Sequence, residues 1–411
     1  MLNKFVYNYF LLLFGFIPFT ILIGSSLSLL NIILIDLSFI ILILYLKDFS
    51  FLKKDTLKYF YILILYLFFN SLISLDSSIG LSRNLGFLRV IIFFLAFNYF
   101  FKIEFFFRKV LIMWGIIISI VVLDVFIEGF FGQNILGFKS ELYGRKVSFF
   151  KDEHIVGGYI YGFFLIIIGN LMNEYGAKYK YYILFFSFVV LVAIISTGER
   201  ANSIKALLGL LIFYFLIAKF DFKKKIFSSI IGLVVISSLV FNSEFLKLRF
   251  YDQIKSSANS NNIYFKIYKS GFEVFKKYPI LGVGNKNYRV ETCDVNKQLS
   301  TPDELYEKLR YVCQTHPHQI YFEFLSEHGI IGTLVLFYIF YKLIFSKIKI
   351  VLHNRDYLQI GSLIYLLLIF LPLLPSGAFF SDFSVTFFSL NISILYATYS
   401  KMNIFNNNKI I

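Results

Sequence analysis

Four short segments place chemically capable side chains in an otherwise apolar chain. The first is Ser196-Thr197-Gly198-Glu199-Arg200-Ala201-Asn202, a tight turn between two apolar stretches. Arg200 would stand beside the N-terminus of the following helix, where free N–H groups and the positive dipole end favour anions. Its guanidinium adds a two-pronged fork for phosphate oxygens. The other reading of Arg200 is an interfacial arginine, paired with Glu199 or extended to lipid headgroups. The second segment is Thr315-His316-Pro317-His318-Gln319-Ile320-Tyr321. Pro317 suits the first turn of a helix, so His318 would project from the start of a long apolar helix. A histidine there can serve as a general base near neutral pH, or simply hydrogen-bond at the helix end.

Further along the same helix, Glu323 and Glu327 share a face four residues apart. Ionisable groups in an apolar helix are costly and usually face a cavity or a partner. Gly329 and Gly332 fit close approach of two helices. The third segment, Tyr278-Pro279-Ile280-Leu281-Gly282-Val283-Gly284-Asn285, contains Gly-x-Gly-Asn. No βαβ pattern precedes it, so a dinucleotide-binding reading fails and a structural turn is expected. Arg289 just beyond is a further anion-binding candidate. The fourth segment is Arg145-Lys146, followed by Phe149-Phe150-Lys151-Asp152-Glu153-His154, a mixed-charge loop entering a helix.

The elements that must hold these residues follow from composition. The chain has 411 residues, 58% hydrophobic and 16% charged. Soluble domains carry about 25% charged residues, so ordinary globular, fibrous and disordered classes are excluded. Spanning helices need about 20 apolar residues, and twelve stretches qualify: 9–23, 27–46, 57–75, 85–101, 110–127, 155–171, 181–195, 203–218, 226–241, 319–345, 358–371 and 384–399. The fold class expected is an all-α polytopic membrane protein with about 12 transmembrane helices and one long loop between helices 9 and 10. Residues 1–241 hold the first nine helices, 242–318 the loop domain, and 319–411 the last three helices and a short tail. No internal repeat and no cleavable leader are evident.

Basic residues orient the bundle. With the N-terminus inside, 20 of the 40 Lys and Arg fall in inner segments, among them Lys4, Lys178, Lys180, Lys219 and Lys409. Twelve of the others lie in the long loop, which the rule excludes. Both ends are therefore expected in the cytoplasm, with all four chemical segments on the outer face. The net charge of +15 is then mostly topology, and no nucleic-acid partner is implied. Within the long loop, 245–250 and 263–277 interleave aromatics with lysines, a pattern of helices lying on a membrane surface or of a solvated cap. Its Cys293 and Cys313 would form a disulfide on an oxidising side, or remain free thiols; no histidine spacing suggests zinc. The 406–408 tail is Asn-rich.

The order of a membrane bundle, Ser-x-Gly-Glu-Arg-Ala, a long outer loop ending near Pro-Ile-Leu-Gly-Val-Gly, and His-Pro-His-Gln-x-Tyr-x-Glu-x-Leu-x-Glu-x-Gly-Ile-Ile-Gly resembles the O-antigen ligase/polymerase family of bacterial envelope glycosyltransferases. That family usually has Asn where Gln319 stands and Ser where Glu199 stands. The resemblance implies a GT-C-like inner-membrane enzyme with its active site facing the periplasm. The donor would be a glycan on polyprenyl (undecaprenyl) diphosphate, used without metal or cofactor. The acceptor would be the lipid A core for a ligase, another lipid-linked repeat for a polymerase, or a protein for an oligosaccharyltransferase; the ligase is preferred. It implies His318 and Arg200 as catalytic residues, and Arg289, Arg145, His316 and Gln319 as contacts to diphosphate and glycan. Two rival classes are a lipid-linked glycan flippase and a non-catalytic scaffold. Against the flippase, the halves do not repeat and the polar groups cluster at one face, apart from Asp36 and Asp124.

Overall fold

The computed structural model describes residues 3–103, 105–217, 220–256, 263–296 and 311–405. Lys219, Lys409 and the 406–408 tail fall outside them. Every regular element among the described residues is a helix. In lipid each backbone amide must bond within its own segment, so apolar stretches become helices: 27–46 is realised as Ser25–Leu46, and 110–127 as Phe106–Phe131. By length and apolarity six helices among the described residues can cross a membrane, or seven counting the pair Lys4–Gly15 and Ile17–Ile23, bent by 47°. Tyr357–Ile369 and Asp382–Ala397 are apolar but shorter.

The segment Val156–Ser196 runs through 41 helical residues with one break, at Tyr179. A straight helix of that length would span about 60 Å. Its ends instead meet: the Gly157 N–H donates to Glu199 Oε1 at 2.6 Å. The chain therefore doubles back at Tyr179 into two antiparallel arms, which match the stretches 155–171 and 181–195.

The reversal defines two poles. At one, Arg108 pairs with Glu174 at 3.3 Å, the Lys102 ammonium donates to the Phe405 carbonyl at 2.6 Å, and the Tyr7 and Phe106 rings meet at 5.3 Å. Residues near both ends of the described chain thus share this pole. Gly157, Glu199, Arg145 and the 316–318 loop lie at the other.

Helix Ile320–Leu343 is broken at Gly329, where φ is 62°. The 279–284 segment fills the gap. Val283 and Gly284 donate to the Ser326 and Glu327 carbonyls at 3.0 and 2.8 Å, and Ile330 and Ile331 donate to Pro279 and Ile280 at 2.9 and 3.2 Å. A Cβ on Gly282 would lie 2.5 Å from the Glu327 carbonyl carbon, and one on Gly329 2.4 Å from that of Ile280. Gly-x-Gly-Asn is thus a structural turn that repairs an interrupted helix. Asn285 follows it inward, donating its backbone N–H to Asn70 Oδ1 at 2.8 Å. Helix Ile263–Lys277 of the long loop packs along Ile320–Leu343.

Candidate active site

The turn 196–199 gathers arginines from three parts of the chain. Gly198 takes a positive φ of 75°, which turns its carbonyl away from the helix end. That oxygen accepts from Arg249 Nε and Nη2 at 3.2 and 3.1 Å and from Arg145 Nη1 at 3.5 Å. Arg200 is the next residue but one. It makes no hydrogen bond or ion pair among the described residues. Arg249 is further fixed by Gln253 Oε1 at 2.8 Å, and Arg145 by the His154 carbonyl at 3.4 Å. Arg145 Nε is buried without a partner.

The three guanidinium groups line one cavity of about 1080 Å³, together with Tyr264, Tyr268 and Lys269. Burial lowers the Arg145 and Arg249 pKa values; Arg145 and Arg200 lower that of Arg249 further, while at Arg145 the Glu199 carboxylate and Tyr264 oppose the shift that Arg200 adds to. Clustered like charge of this kind disfavours ionisation and is relieved by an anion in the cavity.

Glu199 does not pair with Arg200. Its carboxylate turns to the start of the Val156 helix, accepting from the Gly157 and Gly158 N–H groups at 2.6 and 3.0 Å and from Asn202 Nδ2 at 2.7 Å. It neutralises the dipole of another helix and leaves Arg200 free. Burial pushes its carboxyl above the ordinary range, while Asn202, the Gly157 N–H and Arg145 pull the other way.

The two histidines part company. His316 bonds Thr315 Oγ1 at 3.0 Å through Nδ1 and the Ser376 carbonyl at 3.1 Å through Nε2. The His318 ring has no hydrogen bond among the described residues. Its backbone is held in the left-handed region, φ 53°, with its carbonyl accepting from the Ser376 N–H at 2.9 Å. Unusual backbone of this kind in a non-glycine residue concentrates at functional sites. The His318 ring stands 6.2 Å from the Tyr264 ring, and Tyr264 lines the arginine cavity. Burial pushes His316 down to about 3 and also lowers His318, so both imidazoles are neutral at pH 7.

The other named residues divide. Gln319 caps the helix, its Oε1 accepting from Tyr321 N and Phe322 N at 2.8 and 3.1 Å. An amide does this as Asn would. Arg289, on the short helix Tyr288–Asn296, is exposed and lines no part of the arginine cavity. Cys293 and Cys313 are joined by a disulfide, Cα–Cα 4.6 Å. Glu323 accepts the Phe379 N–H with both oxygens, at 2.9 and 3.1 Å, bracing the 376–379 segment against the histidine loop. Arg249, Tyr264 and Lys269 were not singled out by sequence. Their signal is the basic and aromatic alternation of 245–250 and 263–277, which fits a membrane-surface helix or a solvated cap equally well.

Apolar helices in this number make the chain an integral membrane protein, and its candidate site is a cationic cavity beside a neutral histidine whose ring has no hydrogen bond among the described residues. Residues 185–337 match the family described as O-antigen ligase. The match holds Gly198, Arg200, Arg249 and His318, leaves out Arg145, and supports the O-antigen ligase/polymerase family. A comparison with curated proteins finds no match. The family points to glycosyltransferase activity of the ligase or polymerase type.

Proposed function

We propose that the protein is an O-antigen ligase, transferring a glycan from polyprenyl (undecaprenyl) diphosphate to a hydroxyl of the lipid A core. The observation that carries this is the trio Arg145, Arg200 and Arg249 lining one cavity, with His318 one aromatic ring away. The trio grips the diphosphate and balances the charge that develops on it as it leaves. The acceptor oxygen attacks the anomeric carbon, whose bond to the diphosphate oxygen breaks with its electron pair going to the diphosphate. His318, neutral at pH 7, takes the acceptor's proton. The leaving diphosphate needs no proton, so no glycosidase-type carboxylate pair is required. The arginines supply the charge stabilisation that a metal ion would otherwise give.

In this reading twelve spans place both ends in the cytoplasm of a bacterial inner membrane and the arginine cavity at the periplasmic face. An apolar groove of about 290 Å³ between residues 184–191, 207–214 and 228–236 offers room for part of the isoprenoid tail. Glycan profiling of a deletion strain tests the acceptor. Loss of all polymeric glycan from the lipid A core supports a ligase; cores carrying a single repeat would make the protein a polymerase.

A further inference from the structure

A second cavity, of about 290 Å³, adjoins the arginine cavity, and Glu199 and Asn202 line both. Its walls come from the starts of the Val156, Arg200 and Asp382 helices, the end of Tyr357–Ile369 and the 376–379 segment. Three polar groups around it have no hydrogen-bond partner among the described residues. Lys205 makes no hydrogen bond or ion pair among the described residues, and the buried hydroxyls of Tyr161 and Ser376 have no partner. Tyr161 is only 4% exposed. Leaving a cation and two hydroxyls unsatisfied around one void is costly, so the void is built for a polar occupant. None of the three takes part in the transfer chemistry derived above.

The rest of the lining states what that occupant is. Tyr365, Phe383 and Phe387 present aromatic surface, while Ser384 and His154 add polar groups. Aromatic rings facing hydroxyl, amide and imidazole groups suit a pyranose, whose C–H face lies on a ring while its hydroxyls bond the polar wall. The volume lies just below the roughly 300–1,000 Å³ range of drug-sized pockets, room for a single sugar residue. The Glu199 carboxylate is turned to the Gly157 and Gly158 N–H groups and Asn202, and it forms no ion pair with Lys205 among the described residues.

We propose that this cavity is the acceptor subsite, and that it holds a terminal sugar carrying a negative charge, a carboxylate or a phosphate, bound by Lys205 with Tyr161 and Ser376. The assignment as acceptor rests on the transfer reading of the arginine cavity; the binding of an anionic sugar does not. The shared wall of Glu199 and Asn202 sets such a sugar directly beside the leaving diphosphate.

The test uses the full-length protein in lipid nanodiscs, titrated with methyl β-glucuronide, glucose 6-phosphate and methyl β-glucoside, for the wild type, Lys205→Met and Lys205→Arg. The expected result is that an anionic probe binds the wild type more tightly than the neutral glucoside. Its affinity should fall about tenfold or more in Lys205→Met and return in part with Lys205→Arg. Glucuronide against phosphate tells which acid the cavity takes. Failure of all three probes to bind the wild type, or equal anion affinity in Lys205→Met, overturns the proposal. If Lys205→Met does not fold, Tyr161→Phe carries the test, with unchanged affinity as the contrary result. Anionic-sugar binding in a protein that transfers no glycan would sink the transfer reading and leave the anion site standing.

Discussion

The His316 and His318 rings stand 4.1 Å apart, yet His316 is hydrogen-bonded through both nitrogens and His318, among the described residues, through neither. The first ties its loop to the Ser376 carbonyl; the second is left available. His318→Ala is therefore expected to lower turnover by about 10²–10⁴-fold, the usual worth of a general base, with thermal stability unchanged. His316→Ala should lower the melting temperature, through loss of a buried bond worth about 1–3 kcal/mol. Turnover and melting of the two purified variants check the division; equal behaviour would remove it.

The same burial fixes the direction of a pH dependence. His318 is held below its ordinary value, so its neutral form persists below about pH 6.5. Activity needing that form is present at neutral pH and falls as pH drops through the lowered value. The acidic limb of kcat/KM in proteoliposomes should then have its midpoint below about 6.5. Activity that rose on acidification would mean the imidazolium is the working form.

Arg249 reaches Gly198 from 51 residues away. If it holds the diphosphate, Arg249→Ala should weaken donor binding about 10–100-fold, as expected for a lost charge-assisted bond of about 1.5–3 kcal/mol. Arg249→Lys should recover part of this. Arg289→Ala, at an exposed position, should leave donor affinity near the wild type. A donor titration followed by fluorescence decides; an Arg289 effect as large as that of Arg249 would move the diphosphate elsewhere.

Glu199 holds two helix segments together through the Gly157 and Gly158 N–H groups. Glu199→Ala leaves those donors and the Asn202 amide without their acceptor, so stability should fall by about 2–4 kcal/mol. Glu199→Gln keeps one acceptor oxygen and should fall less. Melting curves in detergent measure both. A Glu199→Ala protein as stable as the wild type would show that the carboxylate is dispensable to the fold.

Helices are legible in this sequence where lipid leaves the backbone no alternative, as at 110–127, and the motifs around Arg200 and His318 are legible as a turn and a helix start. Arg249 and Tyr264 are not, because their alternation of charge and aromatics specifies only an amphipathic surface. Packing against Gly198 and His318 is what assigns them to the site. Arg289 shows the converse, a suitable side chain on a helix that keeps it exposed. From the sequence Gly329 fits a point of close helix approach. Its positive φ could be foreseen only by knowing that 279–284, nearly fifty residues earlier, would enter the break.

The most direct test is reconstitution: purified protein in proteoliposomes, a polyprenyl-diphosphate glycan and lipid A core, with transfer and diphosphate release followed together. Wild type should yield glycan-bearing core with one polyprenyl diphosphate released per transfer. His318→Ala and Arg200→Ala, folded and at equal amount, should yield almost none. Transfer at the wild-type rate by either variant would contradict the account.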